Sequence, residues 1–186
     1  MTIASAATPR TDATVDMLLP QLRAASLRLL TAVLRLGDAE LVVPARSGLG
    51  TRRHVIARMT RHADRTARAI EGDASGVEPA DRLHDLSPAD LLAALTAALG
   101  SVLGALQEHT GATVVADPTA AEAATHAREQ LAWLELSHVD LDAGYAMHDV
   151  PDASLDAVAA HFRDARAASA SDDLLAASPF APLMAG

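Results

Sequence analysis

The chain has 186 residues, half of them apolar but only 2% aromatic, and a net charge of −9 from 24 acids against 15 bases. Every base is Arg and there is no Cys, so disulfides, thiolate metal sites and a cysteine nucleophile are excluded. An acidic chain without a basic stripe argues against nucleic acid, and against an anionic membrane surface, as its partner.

Ala and Leu dominate, and both lose little entropy in helices, so the composition predicts an all-α fold in a single domain. The first residues, MTIASAATPRTDA, lack a basic n-region and an apolar h-region, and no apolar run reaches the ~20 residues of a membrane span. A cytoplasmic location is the expectation. Residues 1–10 read as a flexible tail. A first helix is predicted from Thr11 or Asp12 to about Leu36, with Leu18, Leu22, Leu29, Val33 and Leu36 on one broad face. Pro20 either kinks it or marks its true start, and Gly37 and Asp38 end it. Residues 39–50, with Pro44, Gly48 and Gly50, read as a connector. A second helix runs from Thr51 to about Ile70 and stops near Gly72, and the polar segment 72–86 reads as a loop. Ser87-Pro88-Ala89-Asp90 is a strong helix start, with Ser as N-cap, Pro at the first position and an acid in the first turn. It opens a third helix over about 88–109. Thr113-Val114-Val115 reads as extended. Asp117-Pro118 opens a fourth helix, reaching His138 or Leu141. Gly144 breaks the chain, and a short last helix is expected over about 154–168. Residues 169–186 read as a loosely packed tail. Four long amphipathic helices over 11–168 predict an up-down four-helix bundle with a short extra C-terminal helix.

Two segments carry the functional signal. They are Trp133-Leu-Glu-Leu-Ser-His-Val-Asp-Leu-Asp-Ala-Gly-Tyr145 and Thr51-Arg-Arg-His-Val-Ile-Ala-Arg-Met-Thr-Arg-His-Ala-Asp64. Together they resemble the paired signature of the mycothiol-dependent maleylpyruvate isomerase family, within the DinB-like metalloenzymes, over roughly residues 10–150. The resemblance implies a DinB-like four-helix bundle. Family members hold a divalent metal with one His from the first helix segment and a Glu-x-x-x-His pair from the second. At the matching positions this chain has Arg58, Trp133 and Ser137, so the resemblance is to a divergent member without the metal-ligand triad. His54 matches a His common one turn earlier in the family, and His62 stands where the family usually has Asn. His138-Val-Asp140-Leu and Gly144-Tyr145 are the best-preserved part of the signature.

Spacing adds to this. At ~100° per residue, His54, Arg58 and His62 stand one turn apart on one helix face. Trp133 and Ser137 share a face of the fourth helix. Asp140 is expected to hold the end of that helix, accepting from an Arg or His of the second. Glu135 and His138 have an i, i+3 spacing used in carboxylate-bridged metal sites, but Glu135 lies ~200° from Trp133 and Ser137 and should point away from the old cavity. It and the Glu122/His126 pair are read as solvated. His84, His109, His126, His148 and His161 are read as surface histidines.

The leading expectation is a metal-independent isomerase or cyclase acting on an activated carbonyl compound in specialised metabolism. Arg58 is a permanent cation suited to an enolate or oxyanion, and His54 or His62 is suited to proton transfer. Trp133, Ser137, Asp140 and His138 then form the substrate-binding wall around a small molecule. No metal or other cofactor is expected. The alternatives are a non-catalytic descendant that binds a ligand or a partner, with Arg58 and Trp133 plugging the vacated site, and an isomerase or S-transferase that keeps a divalent metal such as zinc, or mycothiol, through shifted ligands. Exposed apolar helix faces leave a homodimer open.

Overall fold

Helix boundaries follow from a few capping side chains. In the computed structural model, which describes residues 13–73, 82–111, 118–170 and Phe180, the Ser87 hydroxyl accepts the Asp90 backbone N–H at 3.2 Å. With Pro88 at the first position it starts a helix as the sequence predicts. At another boundary Gly72 takes the left-handed conformation (φ 71°) that closes a helix without a Cβ penalty.

The described residues form α1 (Val15–Leu34), α2 (Asp38–Leu41), α3 (Arg52–Glu71), α4 (Pro88–Gln107), α5 (Pro118–Asp140) and α6 (Asp152–Ala170), with single 3-10 turns at Arg82–His84 and Met147–Asp149. Among them there is no strand, only one isolated antiparallel bridge between Pro44 and Thr51. The fold is all-α.

Three expectations need correction. The connector after the first helix contains α2, where Glu40 reaches back to accept the Gly37 N–H at 3.0 Å. Pro20 does not mark the start of α1, one of its two expected roles, but lies inside it. The last helix is longer than expected at both ends. The predicted start at Thr11 or Asp12, the Asp117 cap and the extended run Thr113–Val115 lie outside the described residues.

α1, α4, α3 and α5 each touch two neighbours in a ring, α1 on α4 and α5, and α3 on α4 and α5, while α6 packs on the outer side of α5. Leu22 and Leu29 of α1, Ile56 and Met59 of α3, Leu95 of α4 and Leu131 of α5 meet inside the ring, each at most 1% exposed. α5 is the central element. From Gln130 to Leu141 every residue is buried except the half-buried Trp133, because α1, α3 and α6 cover it from different sides. α1 and α4 are each long and apolar enough to cross a membrane by length and composition, and both turn part of that apolar surface to the core.

Candidate functional site

The α3/α5 face holds most of the residues singled out in the sequence, and each has a structural partner. Arg58 Nη2 meets Asp140 Oδ2 at 2.7 Å, with Asp140 fully buried and Arg58 20% exposed. Arg58 Nη1 also donates to the Leu49 carbonyl at 3.2 Å. The other Asp140 oxygen accepts the Ser47 N–H at 2.7 Å, and its backbone carbonyl accepts the Arg46 N–H at 2.9 Å. One residue thus ends α5, satisfies a terminal carbonyl, neutralises Arg58 and ties down the loop before α3. The expected bond from an arginine of the second helix to Asp140 is present.

His54 is used differently. Its Nδ1 accepts the Thr51 N–H at 3.2 Å at the start of α3, and its ring lies 4.7 Å from that of His84. A Cβ on Gly50 would meet this ring at 3.0 Å at a φ of +99°, so glycine is required beside it. His62 lies farther along α3 and stacks on Trp133, centroids 4.1 Å apart and planes 12° apart. Burial foremost, then the charges of Arg65, His161 and His126, pull its pKa down to about 3, so it is neutral at physiological pH. Trp133 is also met edge-on by Phe180 at 4.9 Å and by His161 at 6.3 Å. His161 is therefore no ordinary surface histidine: half-buried, it has its pKa lowered by that burial. Phe180, expected in a loose tail, is fully buried. Ser137 is buried and points its hydroxyl at the Met59 sulfur, 3.5 Å away. The structure thus joins Arg58 with Asp140, and His62 with Trp133, but gives His54 other neighbours.

The divalent metal implied by the family resemblance does not fit these residues. Arg58, Trp133 and Ser137 offer no anionic or imidazole ligand, and Arg58 adds a positive charge. Among the described residues no group of three or more His, Asp or Glu side chains is placed to hold a metal.

The opposite face of α5 holds an arrangement that the sequence reading placed in solvent. Glu135 is 1% exposed and His138 6%. Glu135 accepts from Arg28 Nη2 at 2.6 Å, from the Tyr145 hydroxyl at 2.7 Å and from the Ser154 hydroxyl at 2.9 Å. Burial, and then the bond to Glu135, push the Tyr145 phenol above its ordinary pKa, so it stays protonated and donates. The His138 ring stacks on Tyr145, with centroids 3.9 Å apart and planes 4° apart. Burial foremost, reinforced by the charge of Arg28 and opposed by Asp149, lowers its pKa to about 4. Beside this stack lies a cavity of about 620 Å³ between α1 and the end of α5, a size suited to a small molecule. Arg28, Thr31, Arg35, Arg52, His138 and Tyr145 supply its polar lining. Of the predicted site residues His138 alone lines it. Arg28, Arg35, Arg52 and Tyr145 were missed. One signal for Arg28 exists in the sequence: it and Glu135 are single charges, of opposite sign, each set inside an apolar run.

No family model, curated protein or solved structure matches this chain.

Proposed function

We propose that the chain is a DinB-like up-down helical bundle whose metal position has become a structural clamp, and that it works by binding a small molecule in the cavity between α1 and α5. The observation that carries this reading is the Arg58–Asp140 pair at 2.7 Å. A guanidinium already matched by a fully buried carboxylate has little field left for a developing oxyanion. Support also comes from His62, which lies against Trp133 instead of facing an open space.

A thermal-shift screen of small molecules against the wild type and Thr31→Trp tests it, since Thr31 lines the cavity and a bulky ring there would fill it. Ligands should raise the melting temperature of the wild type and lose their effect on the variant. Ligands that stabilise Thr31→Trp equally but fail on Trp133→Phe would move the site to the other face and overturn the reading.

A second reading keeps a metal-independent isomerase of an activated carbonyl compound, with catalysis transferred to His138. It is favoured by one observation: the His138 imidazole lines a cavity that also holds arginines. Exchange of the α-proton of an enolisable keto acid in deuterated water, lost in His138→Phe, is the expected result. Equal exchange by the variant counts against it.

A further inference from the structure

The cavity between α1 and the end of α5 gathers cations on a chain whose overall charge is −9. Of its three arginines, only Arg28 has an ion-pair partner among the described residues, Glu135 at 2.6 Å. Arg52 donates to the uncharged backbone carbonyl of Asp142 at 2.6 Å. Arg35 makes no ion pair among the described residues. The nearby carboxylates are engaged elsewhere: Asp142 faces Arg46 at 3.7 Å, and Asp149 accepts the Ala146 N–H at 2.8 Å.

Beneath the surface of these residues three polar atoms also stay unmatched. Arg28 Nε, Arg52 Nε and His138 Nδ1 are buried and find no hydrogen-bond partner. Native proteins rarely leave such atoms unmatched. The remaining surfaces are apolar or flat. Leu27, Leu36 and Ala143 line the sides, and the Tyr145–His138 stack offers a planar face.

The geometry points to a small organic acid as the ligand of this cavity, its carboxylate held by Arg35 and Arg52 and a planar apolar body laid against the Tyr145–His138 stack. This inference rests on the reading of the cavity as the ligand site and names the chemical class it takes. Guanidinium groups match carboxylates by paired, charge-assisted N–H···O bonds. A flat hydrocarbon body gains from aromatic contact and from leaving water.

The test is a nitrogen-15 NMR titration of the full chain with benzoate, with benzamide of the same shape but no charge, and with acetate, which has the charge but no ring. Benzoate should shift the amides of Ala143, Gly144 and Tyr145 saturably, with benzamide and acetate each at least tenfold weaker. Arg35→Leu, at an exposed position, should weaken benzoate at least fivefold. Equal binding of benzamide, or benzoate affinity unchanged in Arg35→Leu, overturns the assignment of an anion and leaves the cavity standing as a ligand site. Equal binding of acetate overturns the planar body. Shifts centred on Trp133 instead, or none with any probe, overturn both the ligand class and the site.

Discussion

The two sides of α5 solve the burial of a carboxylate in different ways. On the α3 side the Asp140 carboxylate is matched by an arginine and one backbone N–H, a second backbone N–H goes to its carbonyl, and its neighbours Trp133 and Ser137 are covered by His62 and Met59. On the α1 side Glu135 is matched by an arginine and two hydroxyls, and a cavity lies beside it. The first carboxylate holds a loop N–H and an α3 side chain at the end of α5, and so joins a loop to two helices. The second fastens side chains only. The charge of the first site is fixed and neutralised, whereas two of the arginines beside the cavity have no ion-pair partner among the described residues.

Breaking the first side should cost most. Arg58→Ala leaves Asp140 buried without its counter-charge and should destabilise the fold by about 3–5 kcal/mol, read as a shift in the urea midpoint. A loss near that of an ordinary surface substitution would erase the distinction drawn between the faces.

Acid should act on both sides through the histidines. His62 and His138 titrate near 3 and 4 in the folded chain, against an ordinary 6.5. The unfolded chain therefore binds more protons in this range, and stability is fully present above about pH 6.5 and falls as pH falls. Each histidine contributes a slope of roughly 1.4 kcal/mol per pH unit, ending near its folded pKa. Denaturation curves across this range should show the steeper slope above about pH 4, to which the lowered pKa of His161 also adds, and His62→Phe should reduce it there. A slope unchanged in that variant would contradict the buried neutral state of His62.

Arg28→Ala should cost less than Arg58→Ala, about 1–2 kcal/mol. Arg28 is a third exposed, and Glu135 keeps its two hydroxyl donors. The ratio of these two losses, measured in the same denaturant, sharpens the comparison directly. Arg35→Leu should be smallest for stability, within about 0.5 kcal/mol, with an effect on ligand affinity alone. A large fall in its melting temperature would show Arg35 to be structural.

Much of the fold is legible in the sequence, because helix ends are local events. Ser87-Pro88 and Gly72 act through their own backbone and side chains, with no knowledge of what packs above them. The clamp was legible in part. Asp140 and Arg58 were singled out, but the choice between a free cation and an ion pair depends on a distance that no spacing encodes. The cavity was not legible, and α5 explains why. Helical periodicity places Glu135 opposite Trp133, and an amphipathic helix would present that side to water. α5 is instead covered on that side by α1 and by residues leading into α6, so the same angle that turned Glu135 away from one neighbour turned it into another. The arginines come from α1 and α3, remote from α5 in sequence, and nothing local joins them.

A stretch of helix with no solvent face has no neutral positions. Between Gln130 and Leu141 nearly every substitution is felt by a neighbouring helix, and a slip of one residue would turn the whole segment by ~100°, carrying Glu135 out of reach of Arg28 and Asp140 away from Arg58. Such a segment tolerates exchange of one residue for another in place far better than insertion or deletion. Change along this lineage is then expected to spare the length of α5 and to fall on the loops and the other helices, which supply all of the cavity lining except His138.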